Sequence, residues 1–594
     1  MKENVDVTST VLTKDPDADP PNQPGDEAAT DAPARPAAWV ARLKTWTSGT
    51  RAARLVELLA LVPLLSMILE VSRAGKLQWL DYWYVMIRIV NNDGSFNLPG
   101  LFVPQNEHPL IIPSLFYYAD ARLADGDNRV LGYLVIIIAA ISILLLRAAL
   151  PKALPPLVRA SLVVAASALI FSLHGIHLFV RSMSGSAWLT ANLFVIAALL
   201  LAYRRKYWGA WVVGLVACLT YGTSFAVWPV LAMMAWVNRD ALWKRWTPAG
   251  IGVAVIIIYY LLKPVTWIGG SPAHDLGSLI YLFLSIMGHL WTGDNAGFAV
   301  IGGAVIAVLY LILLGNKAAR AKNLRFWWGV AMYAILACGM IAISRVDFGA
   351  EFGLESRYSS LATLVAIPLL VLVAVVAHKG LQRNAQKIAA AVVGVGVAGF
   401  ALGVPAAAGI RGTIEEHELE AIAIRTGYGD ALGPVLPTKK NLDPKLRSLG
   451  HYPMNDSFSI GCGGPELGDR LDMSQARPLH GPGTRAPAWS VGQVESVEDR
   501  GEASLIIGWA TGGISRKATP VRCTVVVDRT GKITGAGVSN LSRTDLTKKF
   551  WELPPNVGFK ALGPVTEGTR VVVIYEGGAM RWMPAEESDR GDDK

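Results

Sequence analysis

Apolar residues come in runs along the first two-thirds of this chain, and most runs have the length of a bilayer crossing, roughly 17–25 residues. The pattern predicts spans at 55–73, 130–147, 160–180 and 187–203, then a bent pair within 208–237. Further spans are predicted at 248–263, 297–315, 325–344, 359–378 and 388–409, about eleven altogether. The pair is expected to bend at Tyr221-Gly222-Thr223-Ser224. Charge sets the orientation, because Lys and Arg concentrate on the cytoplasmic side of membrane proteins. With the amino terminus inside, Arg42/Lys44/Arg51/Arg54, Arg147/Lys152/Arg159, Arg204/Arg205/Lys206, Arg239/Lys244/Arg245 and Lys317/Arg320/Lys322/Arg325 all fall on that side. Loops 74–129, 181–186, 264–296 and 345–358 then fall outside, as does everything after 410. The run 276–291 is apolar enough to span, but counting it would break this parity. It is expected to lie on the outer face or dip into it.

After 410 the pattern changes. Alternating segments at 504–509, 522–527 and 570–575 are bounded by Gly, Asp, Pro or Asn, which is how strands joined by turns read. The expected fold is a polytopic α-helical membrane protein with a C-terminal extracytoplasmic, mainly-β, sandwich-like domain. Its expected divisions are a disordered cytoplasmic tail with a basic collar (1–54), a transmembrane domain (55–410), a mixed connecting segment (411–490) and the β domain (491–594). The first 37 residues carry eight acids and three bases and almost no large apolar side chain. Nothing there offsets chain entropy, and there is no apolar core of a signal peptide.

Composition agrees with this reading. Of 594 residues 52% are hydrophobic and only 17% charged, which excludes an ordinary soluble globular protein. The net charge of +9 follows from inward-facing basic clusters and calls for no nucleic acid. Cys218 and Cys338 lie in apolar runs, whereas Cys462 and Cys523 share the outer region, where they either pair or stay free. No C-x-x-C metal spacing occurs.

The candidate chemistry gathers at the outer side. The stretch 78–128 is longer and more aromatic than a connector needs. It contains Asp81 among Trp79, Tyr82 and Trp83, and a helix there would put Asp81, Tyr84 and Arg88 on one face. A carboxylate shielded by aromatics gains basicity and suits a general base; the alternative is a helix-capping acid in an interfacial aromatic belt. Glu107 and His108 follow in Gln105-Asn106-Glu107-His108-Pro109, either as polar site groups or as a capped turn. On the third span His174, His177 and Arg181 fall at i, i+3 and i+7, a face that would line a polar cavity; a His-x-x-His metal pair would lack a third ligand. In the loop 345–358, Asp347, Glu351 and Glu355 are spaced by four, bracketed by Arg345 and by Arg357-Tyr358. Arginine there would grip a lipid phosphate or pyrophosphate, or else close an internal salt-bridge network. His274-Asp275, and His289 with Asp294, flank the 276–291 run and would line a lipid-access groove or stay solvated.

With its many spans, its long first outer loop and Asp81 in Leu80-Asp81-Tyr82-Trp83 just past the first span, the chain resembles the GT-C superfamily of membrane glycosyltransferases. Many members carry paired acids at that point, whereas Asp81 is followed by Tyr82. The segments 508–510, 525–528 and 542–546 are similar to β-sandwich modules appended to such enzymes, some of which bind carbohydrate. The resemblance implies an inverting transferase in the plasma (inner) membrane, with Asp81 as base. It would move a sugar from a polyprenyl-phosphate donor to a cell-envelope glycan or lipid acceptor. The substrate-binding set would be Tyr84, Arg88, Glu107, His108, His174, His177, Arg181, Arg345, Glu351, Arg357 and Tyr358, in contact with membrane lipids and with no cofactor required, a divalent cation being compatible with the reading but not indicated by it. Two alternatives stand: a polymerase- or ligase-like enzyme centred on the His/Arg face, and a lipid-linked-glycan transporter or flippase. The absence of a convincing internal repeat and the large outer domain argue against a transporter.

Overall fold

The computed structural model describes residues 50–106, 108–262, 275–380, 384–432, 439–479, 491–513, 518–549 and 553–585. Most of the expected tail, Glu107 and His274 lie outside them. Seven helices among the described residues are long and apolar enough to cross a membrane: Thr50–Ser72, Asn128–Ala148, Pro156–Val180, Ser182–Tyr203, Ala296–Gly315, Lys322–Phe348 and Ser356–Gly380. They match seven of the eleven expected spans. The bent pair is two shorter helices, Tyr207–Cys218 and Val227–Val237, joined through a 3-10 turn at Gly222–Ala226 where the bend was expected. A 21-residue helix, Leu242–Leu262, follows, with Lys244 and Arg245 in its first turn. The last expected span divides in two. Ala385–Ala401 stops, and a new helix, Val404–Thr426, runs straight through the 410 boundary into the connecting segment.

Small residues allow close helix crossings. A Cβ on Gly288 would lie 1.8 Å from the Ala299 carbonyl oxygen, and one on Gly303 would lie 2.0 Å from that of Leu284. Only glycine permits this approach, which packs the C-terminal half of the helix Leu276–Gly288 into the bundle, with Leu282, Ile286 and Met287 buried and Leu276, Ile280 and Tyr281 exposed.

The ends of the bundle are segregated by their contacts. At one end Arg147 pairs with Glu57, the Tyr203 hydroxyl meets the Asn323 carbonyl, and Arg325 bonds Asn238. At the other, Asn128 donates to the carbonyls of Gly75 and Val180, and the Ser356 hydroxyl donates to that of His174. The first loop, Arg181 and residues 346–358 therefore converge.

The C-terminal domain is one eight-stranded sheet: β1 (Arg477–Pro478), β2 (Val491–Asp499), β3 (Ser504–Thr511), β4 (Val521–Val527), β5 (Ile533–Ser542), β6 (Asn556–Gly563), β7 (Arg570–Tyr575) and β8 (Met580–Pro584). Their order is β1-β8-β7-β4-β5-β6-β3-β2, antiparallel except for the parallel β1–β8 pair. The sheet curls so that β2 approaches β8. Ile506, Val526, Phe559, Val571, Val573 and Met583 pack within the curl. This differs from the expected sandwich, and the reason lies in Val525-Val526-Val527 and Val571-Val572-Val573-Ile574. Unbroken apolar runs of this kind bury both faces of a strand. The second face here is covered by the connecting segment and not by another sheet. Ile422, Ile460 and Cys462 pack on Val525, Val527 and Val572, while Leu419 and Ala423 pack on Val538 and Leu562. Cys462 and Cys523 form a disulfide that ties the segment to β4.

Candidate functional site

Asp81 opens the helix Asp81–Ile89. Just before it Leu80 has φ 36, a left-handed conformation that a branched, non-glycine residue adopts only when its surroundings hold it there. The strained corner points the chain so that Asp81 is partly buried while Tyr82 and Trp83 enter the core. The Gln105 side-chain amide donates to the Asp81 carboxylate at 3.3 Å. Burial raises the carboxyl above its ordinary range, and Gln105 and the charges of Arg357 and Arg88 pull it partly back.

Arg88 has a different task from the one expected. Its guanidinium donates to the carbonyls of Val103 and Pro104 at 2.8 and 2.7 Å and to that of Tyr84 at 3.2 Å. It clamps the strand of loop that carries Gln105, so its hydrogen-bonding capacity goes largely to backbone. Tyr84 is exposed. Gln105 and His108 exchange backbone hydrogen bonds of 3.0 and 2.9 Å across a tight turn containing the left-handed Asn106.

An aromatic wall runs from this turn to Arg357. His108 stacks on Tyr221 at 3.9 Å, Tyr221 lies 4.5 Å from Trp188, and Trp188 lies 5.6 Å from Tyr358. The Arg357 guanidinium sits 5.4 Å from the rings of both Phe352 and Tyr358 and 3.9 Å from Glu355. Ser356 fixes this corner: its hydroxyl donates to the His174 carbonyl at 2.6 Å and accepts from the His177 backbone N–H at 3.2 Å.

A second group adjoins the first. Trp79 carries the Arg181 guanidinium at 3.6 Å and the His417 imidazole at 3.8 Å. His417 lies on the connecting helix Val404–Thr426, and burial together with the charges of Arg181 and His177 holds its pKa down to about 3. The Nε2 atoms of His417 and His177 are both buried without a hydrogen-bond partner among the described residues. Unsatisfied buried polar atoms are costly and mark a place where a ligand or water belongs.

Three expected groupings are corrected. His174 does not share a face with His177 and Arg181. The helix ends at Ile170, turns, and passes through a 3-10 segment, Leu173–Gly175, which rotates His174 into the core. There its Nε2 meets the Thr292 carbonyl at 2.6 Å, its Nδ1 meets the Ser172 hydroxyl at 2.9 Å, and His289 lies edge-on at 5.5 Å. The acids Asp347, Glu351 and Glu355 do not line one helical face, because residues 346–358 form three separate 3-10 turns. Glu351 lines a groove of about 550 Å³ with Tyr281, Asp294, Asn295 and Phe348. Of the residues expected to line a groove beside 276–291, Asp294 does so, whereas His289 is buried against His174. Arg345 lies 6.0 Å from the Phe348 ring. Finally, Asp275 caps its helix by accepting from the Ser278 N–H at 3.0 Å.

Tyr221, Trp188 and His417 were missed as site residues. Tyr221 had a signal, since it sits at the break of the bent pair. His417 had none beyond being an imidazole on the helix Val404–Thr426. Among the described residues no three His, Cys, Asp or Glu side chains gather as metal ligands. Comparison with known protein families, with curated proteins and with solved structures finds no match to this chain.

Proposed function

We propose that the chain is a membrane glycosyltransferase of the GT-C type, acting outside the plasma membrane on a polyprenyl-phosphate-linked sugar. In this reading about eleven helices cross the bilayer, the amino terminus is cytoplasmic, and the β domain is extracytoplasmic. The supporting observation is a partly buried carboxyl at one end of an apolar bundle: Asp81, held by Gln105, its pKa raised by burial, within the electrostatic reach of Arg357 and Arg88. Asp81 takes the proton of an acceptor hydroxyl as that oxygen attacks the anomeric carbon. The bond from that carbon to the phosphate oxygen breaks, with inversion, and the departing lipid phosphate collects its negative charge beside Arg357. The aromatic wall of His108, Tyr221, Trp188 and Tyr358 offers the flat faces on which sugars stack. A placed carboxylate base contributes roughly 10²–10⁴-fold, and stabilisation of the leaving phosphate adds to it. The acceptor is a cell-envelope glycan or lipid.

The polymerase- or ligase-like alternative, centred on the His/Arg face, loses His174, which is engaged in the core, and rests on His177 and Arg181 alone. The test compares membranes containing equal amounts of the wild-type chain or Asp81→Asn, supplied with radiolabelled polyprenyl-phosphate sugars. Asn keeps the hydrogen bond from Gln105 and removes the base. Labelled product from the wild type and a loss of 10²–10⁴-fold in the variant supports the reading. Equal product from both removes Asp81 from the mechanism, and no product from the wild type with any donor removes the activity.

A further inference from the structure

At the opposite end of the bundle lies a cavity of about 320 Å³ lined by Arg205, Lys206, Tyr207, Trp208, Gly209, Trp243 and Lys244. It forms where Ser182–Tyr203 turns sharply into Tyr207–Cys218, with Arg205 in the left-handed conformation at φ 64. Beneath it Asp240 is buried and holds both the Arg205 guanidinium and the Tyr207 hydroxyl. One cation is thus neutralised and the floor is fixed. Lys206 and Lys244 remain without a carboxylate partner among the described residues. Lys244 is poised 4.8 Å from the Tyr207 ring and 5.3 Å from that of Trp243. The rim is aromatic and open to the surroundings: Trp208 is 71% and Trp243 49% exposed, their rings 6.2 Å apart.

We infer that this cavity is a binding site for the headgroup of an anionic phospholipid. Two cations on its lining, with a tryptophan rim at the end of long apolar helices, match a phosphodiester whose acyl chains continue along the bundle. Basic pockets between membrane helices hold anionic headgroups by this charge complementarity. An aromatic belt alone anchors a helix at the interface but does not choose between headgroups. The choice here falls to Lys206, in the turn before Tyr207–Cys218, and Lys244, in the first turn of Leu242–Leu262, which meet only in the folded bundle. The site is independent of the chemistry around Asp81.

The test is native mass spectrometry of the full purified chain with defined amounts of phosphatidylglycerol or phosphatidylcholine. The wild type will retain about one equivalent of phosphatidylglycerol in preference to phosphatidylcholine. Each lysine near a lipid phosphate is worth roughly five-fold, so Lys206→Gln with Lys244→Gln will weaken retention about 25-fold. Lys206→Gln alone, at an exposed position, will weaken it about five-fold and guards against a folding defect in the double variant. Equal retention of the two lipids, or equal phosphatidylglycerol retention by wild type and variants, overturns the proposal. Displacement of the lipid by millimolar inorganic phosphate overturns it too, in favour of a soluble phosphate ligand.

Discussion

Raising the pH from 6.5 to 8 will loosen the C-terminal segment from the first loop, and the size of the effect follows from two buried groups. Residues 439–453 bring His451, fully buried, onto Tyr82 and Trp83. Its Nδ1 lies 2.5 Å from the Tyr452 carbonyl and so carries the proton, which leaves Nε2 to accept from the Tyr82 hydroxyl at 2.9 Å. Burial holds this imidazole at a pKa of about 4, below its ordinary 6.5. Nearby, Asp120 receives one hydrogen bond of 2.9 Å from Gln78, whose amide also reaches the Gly126 carbonyl at 3.4 Å. The His451 ring packs so closely on Gly126 that a Cβ there would collide with it. Burial pushes Asp120 up to about 8, from an ordinary 3.8. Lifting the segment lets water reach both groups.

The signs oppose each other. His451, with its depressed pKa, stabilises the contact fully above pH 6.5 and loses that contribution as the pH falls toward about 4. Asp120, with its raised pKa, stabilises the contact fully below 3.8 and loses that contribution as the pH rises through about 8. Between about pH 4 and 6.5 the two slopes cancel. From 6.5 to 8 Asp120 acts alone, and at about 1.4 kcal/mol per pH unit the contact weakens by about 2 kcal/mol, roughly thirty-fold in the opening equilibrium. Asp120→Asn removes that loss and uncovers the other limb, a weakening of about 3 kcal/mol as the pH falls from 6.5 to 4. Amide hydrogen exchange over residues 439–454 in lipid nanodiscs, corrected for intrinsic rates, reads both profiles. Protection that stays flat in the wild type from pH 6.5 to 8, or a variant profile identical to it, refutes the reasoning.

Two further outcomes are expected. In the transfer assay, Gln105→Leu removes a hydrogen bond that lowers the Asp81 pKa, so the acid limb of the pH–rate profile will move to higher pH, with activity recovering on the alkaline side. An unmoved limb would separate Gln105, or Asp81 itself, from the titration that controls the rate. Cys462 and Cys523 close a loop with a sequence separation of 61 residues, a constraint on the unfolded chain worth about 4 kcal/mol. Cys462→Ser with Cys523→Ser will therefore lower the melting temperature of the β domain, read by the loss of amide-exchange protection over β4 on heating. An unchanged transition would place the stabilisation elsewhere.

What was legible beforehand tracks the length and composition of segments. Seven runs were long and apolar enough that any fold had to make them helices, and β3, β4 and β7 fell where apolar residues met turn residues. Local geometry was less legible. Spacing placed His174 beside His177 because it assumed an unbroken helix. Ser172, bonded to the Gly399 carbonyl at 3.2 Å, occupies the break in that helix. That hydroxyl is held by a tertiary contact, which periodicity does not register. The sandwich expectation erred for a related reason: strands covered on both faces look the same whether a sheet or a connecting helix covers them. His417 lay furthest from reach, since its role depends on a contact with Trp79 more than three hundred positions earlier.

That distance bears on how Asp81 is held. Its helix, Asp81–Ile89, has nine residues, too few to be stable by itself in water. Asn97 bonds the carbonyls of Arg88 and Ile89, and further support for the helix end and its buried face comes from beyond residue 438. Lys445 donates to the carbonyls of Ile87, at 2.8 Å, and of Val90, placing a cation at the C-terminal end of the helix where both hydrogen bonding and the helix dipole favour it. His451 fills the opposite need by satisfying the hydroxyl of Tyr82, one residue from Asp81. Arg425, near the end of the connecting helix, donates to the Pro453 carbonyl at 3.2 Å and joins the two parts of the segment. The segment continues to Cys462, and through the disulfide to β4. The β domain is therefore mechanically continuous with the helix that carries Asp81. Releasing it would loosen the carboxylate by way of Lys445 and His451, without altering any residue on the first loop.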